Sequence, residues 1–553
     1  MKRISVFIIF TLGTIITIYL SYSYLTNNYY FNNGINNNND GVIPNKISTE
    51  SSLKETTTMP EKSGFAQIRE KDRNYVCGDS IQNSNEFISE YIIPFPCSQP
   101  VGLTFDKDNN IWIAANWAGH FLVFNPQNNT FIKNISLPQR INQGTFGSMI
   151  WDMKFDKNGD LWFTDENSNS LWKYYVKENK FEKYKTPTRG SYPSSLAFDS
   201  KDRVWFTEIF GKKLGLVNPL ETENNTTKGI KELDLEKIVK FETMGPLSTG
   251  YNNSKSGYNN TNDEILWLST VDFPYGGQIV KFDVSTENST VYNLNNTNSV
   301  PISVAEDENG MIWTNDHASS LILMLDPKTG NIKQYATSPA STRNTTTLPY
   351  FNEYSDGKIW FNEHEGNAIA YYDSENKTLI EYHIPTKDKL WGNTSNPLRF
   401  TIDYHGSIWF TEWTENKIGV LHKEKMNQFP ISLSTSKDPM IIDSNTGKGD
   451  IIDVYVNRNN FNNSNTANTV SNELINMFVT SSISKTGQLW NLTSKFNKDQ
   501  FMTSDIPSFD EPYKVTLEIN PTNNIVPGNY TLTISARYDN IITYSKIIDL
   551  IIK

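Results

Sequence analysis

The sequence predicts an all-β protein: a seven-bladed β-propeller followed by an immunoglobulin-like β-sandwich, with a transmembrane helix at the N-terminus. Three observations predict it. A tryptophan in a short apolar run recurs seven times, at spacings of 50, 43, 62, 46, 47 and 49 residues, the period of a four-stranded blade. Beyond about residue 428 that repeat stops, and alternating runs such as IIDVYVN, YKVTLEIN and GNYTLTISARY take over, the pattern of half-buried strands. At the other end, Lys2 and Arg3 precede an uncharged, mostly apolar run from Ile4 to about Leu25, long enough to span a bilayer.

Residues 1–25 are therefore the expected anchor or signal segment. No small-x-small cleavage site follows, so an uncleaved, single-pass anchor is expected, with the basic pair in the cytoplasm and the rest outside. A cleaved signal, giving a secreted protein, is the alternative. Residues 26–70, rich in Asn, Ser and Thr, hold little that could form a core and are expected to be a disordered tether. Sequons at Asn128, Asn134, Asn288, Asn344, Asn376 and Asn393 fit an extracellular chain. Cys77 and Cys97 are the only cysteines. In an oxidising compartment a disulfide between them is the expectation, ahead of free thiols or a redox site.

The propeller is expected over residues 71–428. Its Trp runs are NIWIAAN, DLWFTDE, RVWFTEI, ILWLSTV, MIWTNDH, KIWFNEH and SIWFTEW, carrying Trp112, Trp162, Trp205, Trp267, Trp313, Trp360 and Trp409. Ahead of most lies a strand opened by Pro and closed by Asp, as in PSSLAFD (193–199) and PLRFTID (397–403). A tight turn joins the two. A third strand follows, as in KKLGLV (212–217) and NKIGVL (416–421), then a Tyr-rich fourth, as in IEYHIP (380–385). The polar insertion YNNSKSGYNNTNDE before Trp267 reads as a surface loop. The seventh unit lacks a fourth strand of its own. ISEYIIP (88–94) matches that pattern and is expected to close the ring there. Residues 429–553 make the sandwich.

Net charge is −11 and no basic cluster stands outside the N-terminus, so nucleic acid is not an expected partner.

The blade pattern P-x-G-[IL]-x-x-D, [IL]-W-F-T-E, N-K-I-G, E-Y-x-[IL]-P resembles the virginiamycin B (streptogramin) lyase family over about residues 85–425, and SIWFTEWTENKIGVL (407–421) carries it best. The resemblance extends loosely to NHL-repeat and gluconolactonase-like propellers. It implies seven blades, use of Mg2+, and opening of a streptogramin ring at its ester by elimination. It also implies histidines directly after the opening Pro of blades six and seven, a Glu before the Pro of blade seven, and a Glu ending that blade's Trp strand. Here those positions hold Tyr350, Leu398, Asn396 and Glu412. Only Glu412 matches, so the resemblance carries the fold and speaks against the lyase reaction.

In an antiparallel blade the first strand starts and the second ends on one face. Three residues past each Trp stand Ala115, Asp165, Glu208, Thr270, Asp316, Glu363 and Glu412. A residue type repeated around the ring suggests a structural role, such as binding backbone N–H groups at blade junctions. The next position varies: Asn116, Glu166, Ile209, Val271, His317, His364 and Trp413. His317 and His364 fall at equivalent places in adjacent blades and suit metal binding or proton transfer, or are solvated loop residues. Trp151, Asp152, Asp272, Tyr350, Arg399 and Trp413 are further mouth candidates. An aromatic beside a carboxylate can stack on a sugar ring or a polyketide-like face, or pack as a plug. The expected function is binding of a small molecule, glycan or protein at the axial mouth. The alternatives are a metal-assisted lyase or hydrolase using His317, His364 and Glu412, and a surface scaffold.

Overall fold

A computed structural model describes residues 77–78, 81–138, 148–249, 265–272, 276–294, 299–341, 346–387, 394–459, 472–484, 489, 491–507, 511–522 and 525–553. The expected anchor (1–25), the tether (26–70), the insertion at 251–264 and the sequons at Asn344 and Asn393 lie outside these residues. Among the described residues no helix is long and apolar enough to cross a membrane.

Seven four-stranded antiparallel blades follow one another along the chain, six as separate sheets and the sixth in order as part of a larger one, each with its Trp on the second strand. The first strands of successive sheets pack side by side around a central axis. This is a β-propeller. The seventh sheet takes Pro397–Ile402, Ile408–Glu412 and Lys417–Leu421 from the end of the repeat and Ile88–Ile92 from its beginning. Ile88 pairs with Leu421 and Ile92 with Lys417, so no blade edge is left open at the join.

The repeat recurs because each blade needs the same seam filled. Trp205 lies with Leu266 and Phe282 of blade four, Trp360 with Phe400 and Phe410 of blade seven, and Trp409 with Leu103 and Ile113 of blade one. A large planar side chain wedged between two twisted sheets buries much apolar area, but leaves an indole N–H needing an acceptor. The Asp six residues earlier supplies it. Trp112 donates to Asp106 at 2.9 Å, Trp162 to Asp156 at 3.2 Å, Trp205 to Asp199 at 2.9 Å, Trp313 to Asp307 at 2.8 Å and Trp409 to Asp403 at 3.0 Å. The other carboxylate oxygen holds the turn, as Asp307 Oδ1 does by accepting from the N–H groups of Asn309 and Met311. Trp267 reaches Glu306 of the next blade instead, at 3.1 Å. The Gly of the third strand is equally physical. A Cβ at Gly215 or Gly419 would stand 2.0 Å or 2.1 Å from the ring of Phe206 or Phe410, the residue after the Trp.

Cys77 and Cys97 are joined in a disulfide, which ties the lead into the closing strand to the start of blade one.

The C-terminal strands form a two-layer sandwich. One sheet holds Ile431–Thr435, Asp450–Arg458, Tyr513–Pro521 and Leu492–Phe496. The other holds Gln500–Met502, Leu474–Ser481, Gly528–Tyr538 and Ile542–Ile552, with Met440–Ile442 added in parallel. This second sheet is not set apart from the propeller. Ile542–Ile552 runs antiparallel to Thr378–His383, the outer strand of blade six, pairing Lys546 with Thr378 and Ile542 with Tyr382. Blade six and half of the sandwich are one nine-stranded sheet. The sequence suggested two separate modules because an outer blade strand reads the same whether its free edge meets water or another strand.

Candidate functional site

The opening Pro of each first strand lies opposite the residue that ends the second: Pro301 with Asp316, Pro349 with Glu363 and Pro397 with Glu412. These pairs mark the mouth end of the ring. His317 and His364 follow directly, and both are buried. Their backbone N–H groups donate to Val300 and Leu348 at 2.8 and 3.1 Å, which fixes where the rings emerge. The two imidazoles stack with centroids 5.7 Å apart and planes 12° apart. The edge of the Tyr350 ring meets His317 at 4.9 Å and lies 6.2 Å from His364. His317 Nδ1 faces the Pro349 carbonyl at 3.3 Å and its Nε2 is left without a hydrogen-bond partner, while the His364 ring, which makes no hydrogen bond of ordinary geometry, has the Asn396 side chain beside it.

Burial pushes His317 down to about 3, helped by His364, and pushes His364 down to about 4. Both are neutral near pH 7. Burial raises the Tyr350 hydroxyl to about 12, with Glu166 adding and Arg399 opposing. The cluster is thus an uncharged set of donors and acceptors in a dry place.

Beside it lies a charged floor. Arg399 of blade seven donates to Asp152 at the start of blade two, and its guanidinium stands 4.0 Å over the Phe351 ring. Asp152 also accepts from the Leu196 N–H at 2.9 Å. Burial alone would raise its carboxyl; Arg399, Lys154 and the Leu196 N–H bring it below its usual range. The Trp151 indole donates to Glu166. Glu353, on the first strand of blade six, is exposed to solvent, and the charges of Lys154 and Arg399 act on its carboxylate. Those partners belong to blades two and seven, so the three groups meet across the axis.

The sequence-level candidates therefore divide. His317, His364 and Tyr350 come together, and Trp151, Asp152 and Arg399 stand around them. Trp413 is buried and its backbone N–H donates to Asn396 at 3.2 Å. Asp272 ends its strand opposite Gly276 and joins none of these contacts. Leu398 is buried. Glu412 turns into its own blade, where burial and the nearby Glu90 raise its carboxyl while Lys417 pulls it down. Of the third-position acids, Asp165 and Asp316 accept backbone N–H groups from Met149 and Val300. Glu208 and Glu412 accept none at either oxygen. The expectation of one shared junction role thus holds for the aspartates and not for these longer acids. Sequence reading missed Glu353 and Lys154. The signal would have been the bulge after Pro349, which shifts which side of the strand faces the axis.

Mg2+, implied by the family resemblance, prefers a shell of oxygens. The histidine cluster offers nitrogens, and among the described residues no group of three or more His, Cys, Asp or Glu could hold a metal ion. This donor set does not fit Mg2+.

The fold and mouth define a seven-bladed propeller with a buried, uncharged histidine pair at one end of its axis. No protein-family model and no curated protein matches the chain. Among solved structures it is similar to virginiamycin B lyase from Staphylococcus aureus, with 20% identity over 60% of this chain and 98% of that one, at a TM-score of 0.48. It is also similar to a streptogramin B lyase, with 21% identity, 61% and 97% coverage and a TM-score of 0.48. A third likeness is to the extracellular domain of a one component system from B. thetaiotaomicron, with 13% identity, 82% and 57% coverage and a TM-score of 0.45.

Proposed function

We propose that this protein is an extracellular propeller, tethered to the cell membrane by residues 1–25 and followed by an immunoglobulin-like sandwich, whose mouth binds a small neutral polar ligand such as a glycan unit. The observation that carries the reading is the stacked pair His317 and His364, buried and neutral, with His317 Nε2 lacking a partner and the His364 ring making no hydrogen bond of ordinary geometry. Buried polar groups are normally satisfied; a ligand hydroxyl that donates to one imidazole and accepts from the other would satisfy one nitrogen on each ring. Trp151 and Tyr350 offer flat faces for a sugar ring.

The test is calorimetric titration of the purified chain with a panel of neutral oligosaccharides. At least one is expected to bind, and His364→Ala is expected to weaken it by about tenfold or more, the worth of a buried hydrogen bond of about 1–3 kcal/mol. No binding across the panel, or binding indifferent to His364→Ala, would remove the reading. A streptogramin belongs in the same panel as a probe of the second reading, a lyase or hydrolase at this pocket. Imidazoles held near 3 and 4 are weak bases at neutral pH, so no efficient turnover is expected. Turnover abolished by His364→Ala would put the enzyme first.

The tether has its own test. The full-length protein is expected in the membrane fraction and a chain starting at about residue 70 in the soluble fraction. A mature N-terminus between residues 20 and 35 would show a cleaved signal instead.

A further inference from the structure

Blades three and seven share a charge motif in one register, half-buried in blade three and fully buried in blade seven. The second strand ends on Glu, the third opens on Lys, and the fourth places a Glu opposite the Gly two residues further on. In blade three these are Glu208, Lys213, Gly215 and Glu232; in blade seven they are Glu412, Lys417, Gly419 and Glu90. The lysine answers the acids: Lys213 Nζ lies 2.9 Å from Glu232 and Lys417 Nζ 3.3 Å from Glu90.

Blade six repeats the register with Glu363, Ala368, Ala370 and Glu381. Both acids are kept and both are buried, at 1% and 0% exposure. The lysine is gone, and Ala368 stands in its place. Two buried carboxylates without a cation would be costly.

A cation arrives from the sandwich. Arg537, on Gly528–Tyr538, is 4% exposed. It pairs with Thr543, and Thr543 pairs with Glu381, so the three side chains stand in a row across one face of the continuous sheet. Arg537 Nε donates to Thr543 Oγ1 at 3.1 Å and Nη2 to Ser338 Oγ at 3.1 Å. The Ser338 N–H donates in turn to Glu381 Oε1 at 2.9 Å. Burial raises the carboxyls of both Glu363 and Glu381, and the charge of Arg537 opposes that rise at each. The sandwich grips the outer carbonyls of blade five at the same seam: Thr531, Thr533 and Thr480 hydroxyls donate to Gln334, Ala336 and Thr337 at 2.8, 2.7 and 2.7 Å.

We propose that Arg537 is the missing lysine of blade six, supplied in trans by the sandwich, so that the sandwich is a built-in part of the blade whose second strand leads into His364.

The test is thermal unfolding of the full-length protein in four forms, followed by Trp fluorescence. Arg537→Met is expected to lower Tm by roughly 5 °C or more, because it strands buried carboxylates. Ala368→Lys alone is expected to lower Tm, by crowding a second cation onto Arg537. Combined with Arg537→Met, the same Ala368→Lys is expected to raise Tm relative to Arg537→Met alone, by restoring the cation of blades three and seven. Glu381→Gln in the Arg537→Met background is the fourth form; it removes the stranded charge and is expected to raise Tm as well. The reversal of sign for Ala368→Lys is what packing alone would not produce. If Arg537→Met leaves Tm unchanged, or if neither second substitution raises it, Arg537 is not the surrogate cation. If Arg537→Met fails to fold, recovery of a folded protein by either second substitution supports the assignment, and failure of both overturns it.

Discussion

Deleting residues 85–95 is expected to open the propeller and lower its stability by several kcal/mol. The deletion removes Ile88–Ile92, whose five residues pair in register with Lys417–Leu421. Phe87, Ile88 and Ile93 go with it, each essentially without exposure. Fully buried side chains of this size contribute about 1.5–3 kcal/mol apiece, an upper figure because unfolded chains already bury part of that area. A second loss is electrostatic. Glu90 and Lys417 are both fully buried and 3.3 Å apart, and Glu90 also accepts from the N–H of Thr386 at 3.0 Å. Without Glu90 the lysine loses that carboxylate partner. Breaking a buried pair by removing one member commonly costs about 3–5 kcal/mol. A third loss is topological, since the last blade gains an open edge that can recruit another chain. A chemical-denaturation midpoint unchanged by the deletion would mean that the ring does not depend on this strand. Self-association of the deleted form, read by sedimentation, would mark the exposed edge directly.

How much of this was legible in the sequence depends on how local each cause is. The Trp and the Asp six residues ahead of it are joined by one turn, so their hydrogen bond leaves a fixed spacing, and the seams repeat as the spacing repeats. The third-strand Gly is legible for the same reason, through the neighbouring Phe. His317 and His364 could be set side by side from register alone, because adjacent blades place equal positions together. Glu412 could not be placed that way. Register shows that it lies at the mouth end, but not that its side chain turns toward Lys417 and Glu90. Arg537 and Glu381 are brought together by the pairing of two strands far apart in the chain, and no local pattern records that. The only sequence trace is an omission: Ala368 where the motif has Lys.

Acid is expected to unfold this protein partly through its mouth. An unfolded histidine takes up a proton near pH 6.5, whereas folded His317 and His364 do so only at about 3 and about 4. Between those values the unfolded state binds more protons than the folded one, so stability falls as pH falls and is fully present only above about 6.5. Each tenfold loss of proton affinity on folding is worth about 1.4 kcal/mol, so the pair is expected to remove on the order of 5 kcal/mol between about pH 6.5 and about pH 4. Several acids act in the opposite direction. Glu208, raised to about 8 by burial and by Glu232, and the buried Glu363, Glu381 and Glu412, all raised by burial, are better tolerated when protonated, so they are relieved as pH falls. His383, also held well below its ordinary value by burial and by the charge of Arg537, adds to the acid loss. These other groups are common to both proteins when wild type is compared with a His317→Gln/His364→Gln double variant, so the slope difference isolates the pair. Urea midpoints measured from pH 4 to pH 7 are expected to climb more steeply for the wild type than for the double variant, whatever the offset between them. Parallel curves would mean that the two imidazoles reach water in the folded protein, and with that the buried, neutral pair at the mouth would be lost as the core of a binding site.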